Sequence, residues 1–159
     1  MSPEIEKLLD DTGWNLLSAI QENARISYTE LGQRVGLTSP AVTDRIRRME
    51  DAGIISGYHA RIDYARIGLP VMAVIHLEEI GGHTCEYVAA QMSQMKEVIE
   101  CIRTTGDDSM IIKVVASSVD HLTRVLDQIS RYGIPNTTIA RPNPMVRTVI
   151  TPDVLDGVG

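Results

Sequence analysis

Apolar residues in the first part of the chain recur at helical spacing and predict its first two elements. Leu16, Leu17 and Ile20 define the apolar side of a helix over residues 11–23. A second, shorter helix is expected over residues 27–36, because an S-x-x-E pattern is typical of a helix start and a glycine of a helix end. The chain is therefore expected to open with two helices.

A third helix follows after the short link "GLT". Ser39 is expected to cap this helix, Pro40 fits its first position, where no N–H is needed, and Gly53 ends it. The inward face is formed by Val42, Ile46 and Met49. A short helix joined by a tight turn to a longer helix has the layout of a helix-turn-helix.

The second half of the chain changes to a pattern of strands and helices. Strand-like runs are VMAVIHLEEI, EVIECIRTT and MIIKVVAS, and a last strand is expected within NTTIARPNPMVRTVIT, broken by two prolines. Helical patterns occupy residues 83–95 and 118–133. The resulting order, β-α-β-β-α-β, is typical of the ferredoxin-like fold.

Together these patterns predict an α+β protein. An N-terminal helix-turn-helix (winged-helix-like) domain is joined to a C-terminal ferredoxin-like βαββαβ domain. The expected division is residues 1–60 for the first domain, 61–69 for a linker, 70–152 for the second domain and 153–159 for a C-terminal tail.

Charge is unevenly distributed along the 159 residues. The net charge is -6, yet residues 25–66 hold seven arginines against five acidic residues. Binding to nucleic acid depends on such local patches rather than on the total. No apolar run approaches the ~18 residues of a membrane span, and the acidic N-terminus does not resemble a signal peptide. We therefore expect a cytoplasmic protein without a membrane partner.

The arginines of the third helix are candidates for contact with DNA. A projection at 100° per residue points Pro40, Asp44, Arg47 and Arg48 outward and places Arg45 on the flank. Arginine can bond to guanine or phosphate, hydroxyl groups can bond to either, and small residues let a helix approach the major groove closely. The predicted DNA-binding residues are Arg25, Thr38, Ser39, Pro40, Ala41, Thr43, Asp44, Arg45, Arg47 and Arg48. The alternative is a helix face that is merely solvated.

Asp44 does not fit a surface that faces phosphates, since its carboxylate would repel them. Two explanations are open from the sequence. The carboxylate can accept a hydrogen bond from a cytosine amino group, or it can pair with Arg47 or Arg48 on the same helix.

The stretch LTSPAVTDRIRRMEDAGIISGY resembles the recognition region of the leucine-responsive and asparagine-responsive regulators, the Lrp/AsnC family. The positions that match are Leu37, Val42, Arg45, Glu50, Gly53, Ile55, Gly57 and Tyr58. Thr38 replaces the family's serine, Met49 its leucine and Gly32 its usual alanine. The resemblance implies a transcriptional regulator that dimerises through its C-terminal sheets and can form octamers. It also implies that amino acids bind between C-terminal domains.

The resemblance further implies an effector site at the hairpin turn TTGDDSM, where turn N–H groups can hold a carboxylate and an aspartate can hold an ammonium group. The predicted effector-binding residues are Thr104, Thr105, Gly106, Asp107, Asp108 and Ser109. By spacing alone, this segment is an ordinary hairpin turn.

No enzymatic, metal or cofactor chemistry is predicted. Cys85 and Cys101 form no CxxC pair, and His83 adds no paired ligand motif, so reduced thiols are expected. No nucleophile–base pair or dinucleotide fingerprint is visible in the sequence. The acidic total charge leaves a second hypothesis open: a metabolite-binding or assembly module whose N-terminal helices form a protein interface.

Overall fold

The computed structural model describes residues 2–79, 82–105, 109–141 and 149–155. These residues fall into two compact units. The first comprises residues up to Arg61 together with 149–155, and the second comprises residues 62–141.

In the described part of the first unit there are four α-helices and a 3₁₀ turn, Pro152–Val154. The helices are α1 (Pro3–Leu8), α2 (Asp11–Glu22), α3 (Tyr28–Val35) and α4 (Ser39–Asp51). The predicted helices correspond to α2, α3 and α4, whereas α1 was not predicted. Asp10 caps α2 by accepting from the N–H of Gly13. Thr38 caps α4 by accepting from the N–H of Ala41, one residue before the predicted cap Ser39.

All four helices contribute to one apolar core. Its fully buried side chains include Leu8, Leu16, Leu31, Val42, Ile46 and Met49. Each apolar side chain of this size contributes about 1.5–3 kcal/mol when it leaves water. The inward face predicted for α4 is therefore confirmed. Val42, Ile46 and Met49 pack that helix against the core.

The turn between α3 and α4 depends on two glycines. Gly36 ends α3 with a φ of 72°, in the left-handed region that favours glycine. A Cβ at Gly32 would lie 2.4 Å from the carbonyl oxygen of Leu37. Gly32, which departs from the family pattern, thus lets the turn lie directly on α3, and this close approach offsets its poor helix propensity.

Residues 56–63, which follow α4, form neither helix nor strand. This segment therefore has no sheet pairing in the structure. A single 3₁₀ turn, Ala65–Ile67, precedes the second unit's sheet.

The second unit has the predicted βαββαβ order. Its elements are β1 (Val71–Glu79), α5 (Cys85–Met92), β2 (Val98–Arg103), β3 (Met110–Ala116), α6 (Val119–Ile129) and β4 (Gly133–Ala140). The strands form one sheet in the order β2-β3-β1-β4, with every neighbouring pair antiparallel. In this register Ile75 of β1 lies opposite Ile112 and Thr137. The α+β class and the ferredoxin-like topology are confirmed.

The core of the second unit lies between the sheet and its two helices. Alternate strand residues, such as Ile75, Leu77 and Ile112, are buried with Met92 of α5 and Ile129 of α6. Alternation of this kind is expected of a sheet with one covered face.

Strand β4 ends at Ala140. The predicted continuation of the last strand over residues 142–148 lies outside the described residues. Ile150 then belongs to the first unit, because the Gln21 side chain bonds to both of its main-chain polar groups. The predicted boundary at 152 therefore differs from the division in the structure. Within the described residues, no helix is both long enough and apolar enough to span a membrane.

Candidate DNA-binding surface

The outward face of α4 is the surface on which most of the predicted DNA-binding residues meet. Its exposed members are Pro40, Ala41, Thr43, Asp44, Arg47 and Arg48. Thr38 is exposed at the start of α4, Ser39 is half-buried beside it, and Arg25 is exposed between α2 and α3. We call these six exposed residues of α4, together with Thr38 and Ser39, the α4 surface.

Arg47 and Arg48 supply its positive charge. The Arg47 side chain is 79% exposed, and its Nε lies 3.9 Å from the Oδ2 of Asp51. An exposed pair at this distance contributes little free energy, about 0–1 kcal/mol. Arg48 makes no ion pair with any part of the chain that the structure describes. Both guanidinium groups are thus available to an anion from outside.

Arg45 has a different environment. Its side chain is 22% exposed, and Nη2 bonds to the carboxylate of Asp10 and, at 3.4 Å, to the carbonyl oxygen of Lys7. Asp10 Oδ1 also accepts from the N–H of Gly13 at 2.8 Å. The hydrogen bond from Arg45 is the main cause that lowers the pKa of Asp10. Arg45 therefore joins α4 to the corner between α1 and α2, and most of its side chain is buried there.

The hydroxyl groups of the α4 surface have partners within the unit. Ser39 Oγ donates to Thr29 Oγ1 at 3.2 Å, and Thr43 Oγ1 donates to the carbonyl oxygen of Ser39 at 2.9 Å. Thr38 Oγ1 accepts from the N–H of Ala41 at 3.4 Å. These bonds use the hydroxyl hydrogens of Ser39 and Thr43, while oxygen lone pairs remain available as acceptors.

Tyr58 was matched in the sequence only as part of a motif, and the structure shows its contact. Its hydroxyl donates to Glu50 Oε1 at 2.8 Å, and burial together with Glu50 raises the pKa of Tyr58. The bond ties the segment after α4 to the end of that helix. A cavity of about 170 Å³ beside Tyr58 is lined by Ile20, Ala24, Ile26, Tyr28 and Leu31. None of the predicted site residues lines this cavity.

The predicted effector turn is described only at its two ends. The N–H of Thr104 donates to the carbonyl oxygen of Ser109 at 3.1 Å, which closes the turn. The N–H of Ser109 donates to the carbonyl oxygen of Leu77 at 3.0 Å, and its hydroxyl reaches the same oxygen at 3.3 Å. Thr105 is exposed. Gly106, Asp107 and Asp108 lie outside the described residues.

The described residues contain no group of His, Cys, Asp and Glu that could hold a metal ion. Cys85 is half-buried and Cys101 exposed, and neither forms a disulfide within the described residues.

Comparison with known proteins places both units in one family. A family model described as "Winged helix-turn-helix DNA-binding" matches residues 9–56, and one described as "Lrp/AsnC ligand binding domain" matches residues 71–141. The HTH-type transcriptional regulator YezC of Bacillus subtilis is 38% identical over 131 residues, which cover 82% of this chain and 92% of that protein. The chain belongs to the Lrp/AsnC family.

Other Lrp/AsnC proteins resemble the chain in sequence and in structure. The regulatory protein AsnC of Escherichia coli is 30% identical over 146 residues, 89% of this chain and 96% of AsnC. The AsnC structure superposes with a TM-score of 0.78, over 89% of this chain and 97% of that one. A feast or famine regulatory protein from M. tuberculosis, complexed with L-methionine, superposes with a TM-score of 0.81 at 26% identity, over 87% of this chain and 95% of its own.

Membership of the Lrp/AsnC family gives the two units their classes. The chain is a DNA-binding transcriptional regulator with a helix-turn-helix unit, which contains α4, and a ligand-binding unit, which contains the four-stranded sheet. The family consists of transcriptional regulators, which are not enzymes.

Proposed function

We propose that this Lrp/AsnC protein binds specific DNA sequences through the α4 surface and that a small molecule, an amino acid, modulates its assembly or its DNA binding. The observation that carries the DNA part is the exposed pair Arg47 and Arg48 on the second helix of a helix-turn-helix. Because the apolar core holds the opposite face of α4, the exposed face is fixed in shape, as recognition of a base edge requires.

Five residues of the α4 surface have expected roles toward DNA on this proposal. Arg47 and Arg48 reach phosphates or guanine, and the free N–H groups at the start of α4 favour a phosphate there. Pro40, Ala41 and Thr43 allow a close approach to the groove. Arg25, exposed at the turn before α3, is positioned on this proposal to contact the DNA backbone.

The acidic total charge agrees with this assignment. Lys and Arg number 15 against 21 Asp and Glu, so the molecule as a whole is repelled by DNA at long range. Attraction is then confined to the α4 surface, which limits binding that ignores sequence.

The effector part of the proposal assigns amino-acid binding to the second unit. The match of residues 71–141 to a ligand-binding domain supports it, as does the L-methionine complex of the M. tuberculosis relative. The contact residues remain those predicted from the sequence, on the turn between Thr104 and Ser109. We further propose a homodimer, or a larger assembly such as an octamer, because Lrp/AsnC proteins form oligomers.

Double substitution of the two exposed arginines tests the DNA part. Arg47→Ala with Arg48→Ala should weaken binding to a duplex from the protein's own upstream region, and should lower the slope of log affinity against log salt by about one for each phosphate that is no longer bound. Arg124→Ala, at an exposed arginine of α6, is the matched control and should leave both quantities unchanged. Fluorescence anisotropy gives the affinities and light scattering gives the oligomer size.

The same experiment separates the two hypotheses drawn from the sequence. Weaker DNA binding with an unchanged oligomer supports the proposal. An oligomer that dissociates when the arginines are removed would instead indicate that α4 forms a protein interface.

A further inference from the structure

The α4 surface carries one acidic side chain, and the structure leaves it without a partner. Asp44 is exposed, and it makes neither an ion pair nor a side-chain hydrogen bond with any residue that the structure describes. The sequence left two explanations for Asp44. One of them, an ion pair with Arg47 or Arg48, does not occur among the described residues. Arg47 lies beside Asp51 and Arg45 bonds to Asp10, so two of the three arginines of α4 are oriented to other carboxylates.

Once the α4 surface lies against DNA, a carboxylate at this position is unfavourable unless the DNA supplies a donor. Phosphates offer only acceptors and repel the charge, so Asp44 cannot help α4 to hold the backbone. In the major groove, donors are the amino groups of cytosine and adenine. Adenine presents its amino group beside the acceptor N7, which disfavours a carboxylate, whereas cytosine presents the amino group alone.

The neighbouring hydroxyls are weaker acceptors than Asp44. Thr43 has given its hydroxyl hydrogen to the carbonyl oxygen of Ser39, and Ser39 has given its own to Thr29. Asp44 is thus the acceptor on this face that carries a full negative charge, and charge-assisted hydrogen bonds are the stronger ones.

We propose that Asp44 is a specificity-determining residue that accepts a hydrogen bond from the amino group of a cytosine in the major groove. The assignment rests on the proposed function of the α4 surface and deepens it. It predicts that each half of the DNA site contains a C·G pair that Asp44 requires, and that the carboxylate disfavours other sequences by leaving its charge unpaired there.

The test is selection of duplexes from a randomised library by the full-length protein, followed by affinities for single-base variants of the selected site. Replacing the required cytosine should weaken binding by the unsubstituted protein about tenfold or more. Asp44→Ala should bind all four bases at that position within about twofold, and should bind unrelated DNA more tightly because a repelled charge is gone. Asp44→Asn should shift the preference to adenine, whose N6 and N7 pair with an amide.

Asp11→Asn is the matched control. It removes an exposed carboxylate from the same unit, at the start of α2 and outside the α4 surface, and should leave every base preference unchanged. Circular dichroism of each variant verifies that α4 is folded.

Two failures are distinguishable. If the unsubstituted protein selects a sequence and Asp44→Ala keeps every base preference, the role of Asp44 is overturned and the proposed function stands. If the unsubstituted protein selects no sequence, the proposed function itself is overturned, and the role of Asp44 with it.

Discussion

Arg45 and Arg47 lie two positions apart on α4, and their side chains have opposite surroundings. Arg47 is 79% exposed, whereas Arg45 is held by Asp10 and by the carbonyl oxygen of Lys7. The difference follows from helix geometry, since two positions rotate a side chain by about 200° around the helix. Arg45 therefore contributes to the stability of the first unit, whereas Arg47 lies at its surface.

Arg45→Ala should destabilise the first unit by about 1–2 kcal/mol, because it removes hydrogen bonds to a charged partner and the packing of the side-chain stem. Arg48→Ala should change the stability by less than about 0.5 kcal/mol. Trp14 is the single tryptophan and lies on α2, so its fluorescence during denaturant unfolding reports on this unit. Equal stability of the two variants would contradict the structural role of Arg45.

The stability that the Arg45–Asp10 contact contributes depends on pH, because the Asp10 carboxyl titrates. Its pKa is lowered from the ordinary value of 3.8, mainly by the hydrogen bond from Arg45. A carboxyl whose folded pKa is lowered adds stability above its unfolded pKa, and this stability is lost as the pH falls through the folded value. Asp10→Asn keeps an acceptor for the cap but does not titrate.

The stability difference between the unsubstituted protein and Asp10→Asn should therefore be present at about pH 6 and should shrink as the pH falls below about 4. Denaturant midpoints from Trp14 fluorescence across this range measure it. A difference that stays constant down to about pH 2 would show that the carboxylate charge contributes nothing.

At the scale of elements, the C-terminal segment is held on α2 by a side chain. The Oε1 of Gln21 accepts from the N–H of Ile150 at 2.8 Å, and its Nε2 donates to the carbonyl oxygen of Ile150 at 3.1 Å. One amide thus satisfies both main-chain groups, as a neighbouring strand would. Residues 149–155 are accordingly part of the first unit.

Gln21→Ala should release this segment and accelerate amide hydrogen exchange at Ile150, with a stability cost of about 1 kcal/mol. Gln21→Glu keeps the acceptor and loses the donor, so an intermediate rate is expected. Gln33→Ala, at an exposed glutamine of α3, serves as the control. If the exchange rate at Ile150 is the same in the unsubstituted protein and in all three variants, the bonds between Gln21 and Ile150 do not hold this segment.

The elements show what the sequence can predict. Apolar residues that recur every 3.6 residues in helices and every second residue in strands identified α2, α3, α4 and the βαββαβ order, because each element has one buried face. Helix α1 was missed, since it spans only Pro3–Leu8 and buries a single side chain, Leu8. Its start signals are local, since the Ser2 side chain accepts from the N–H of Ile5 and Pro3 is the first helical residue, but six residues are too few to show a helical period.

For the candidate DNA-binding surface, too, local features could be predicted from the sequence and long-range contacts could not. The exposure of Asp44, Arg47 and Arg48 was predictable, because the projection of one helix uses only local spacing. The bond from Arg45 to Asp10 was not predictable, since it joins residues 35 positions apart in sequence. The effector turn stays a prediction from the family resemblance, with its ends closed by the bond from Thr104 to Ser109.

At the scale of the whole molecule, an acidic protein carries a local basic surface on a helix-turn-helix and a second unit of the ligand-binding class. For the proposed function to hold, the first unit must bind DNA selectively. An amino acid bound to the second unit must also change the assembly or the DNA binding. An effect on DNA binding requires a coupling free energy between the two sites.

The most decisive experiment is binding of the full chain to a duplex of its own upstream region and to a shuffled duplex, at two salt concentrations, with and without a pool of amino acids. We expect tighter binding to the native duplex, weakening with salt, and a shift in affinity when one amino acid is present. Equal affinity for the native and shuffled duplexes, or no salt-dependent binding at all, would contradict selective DNA recognition by the α4 surface.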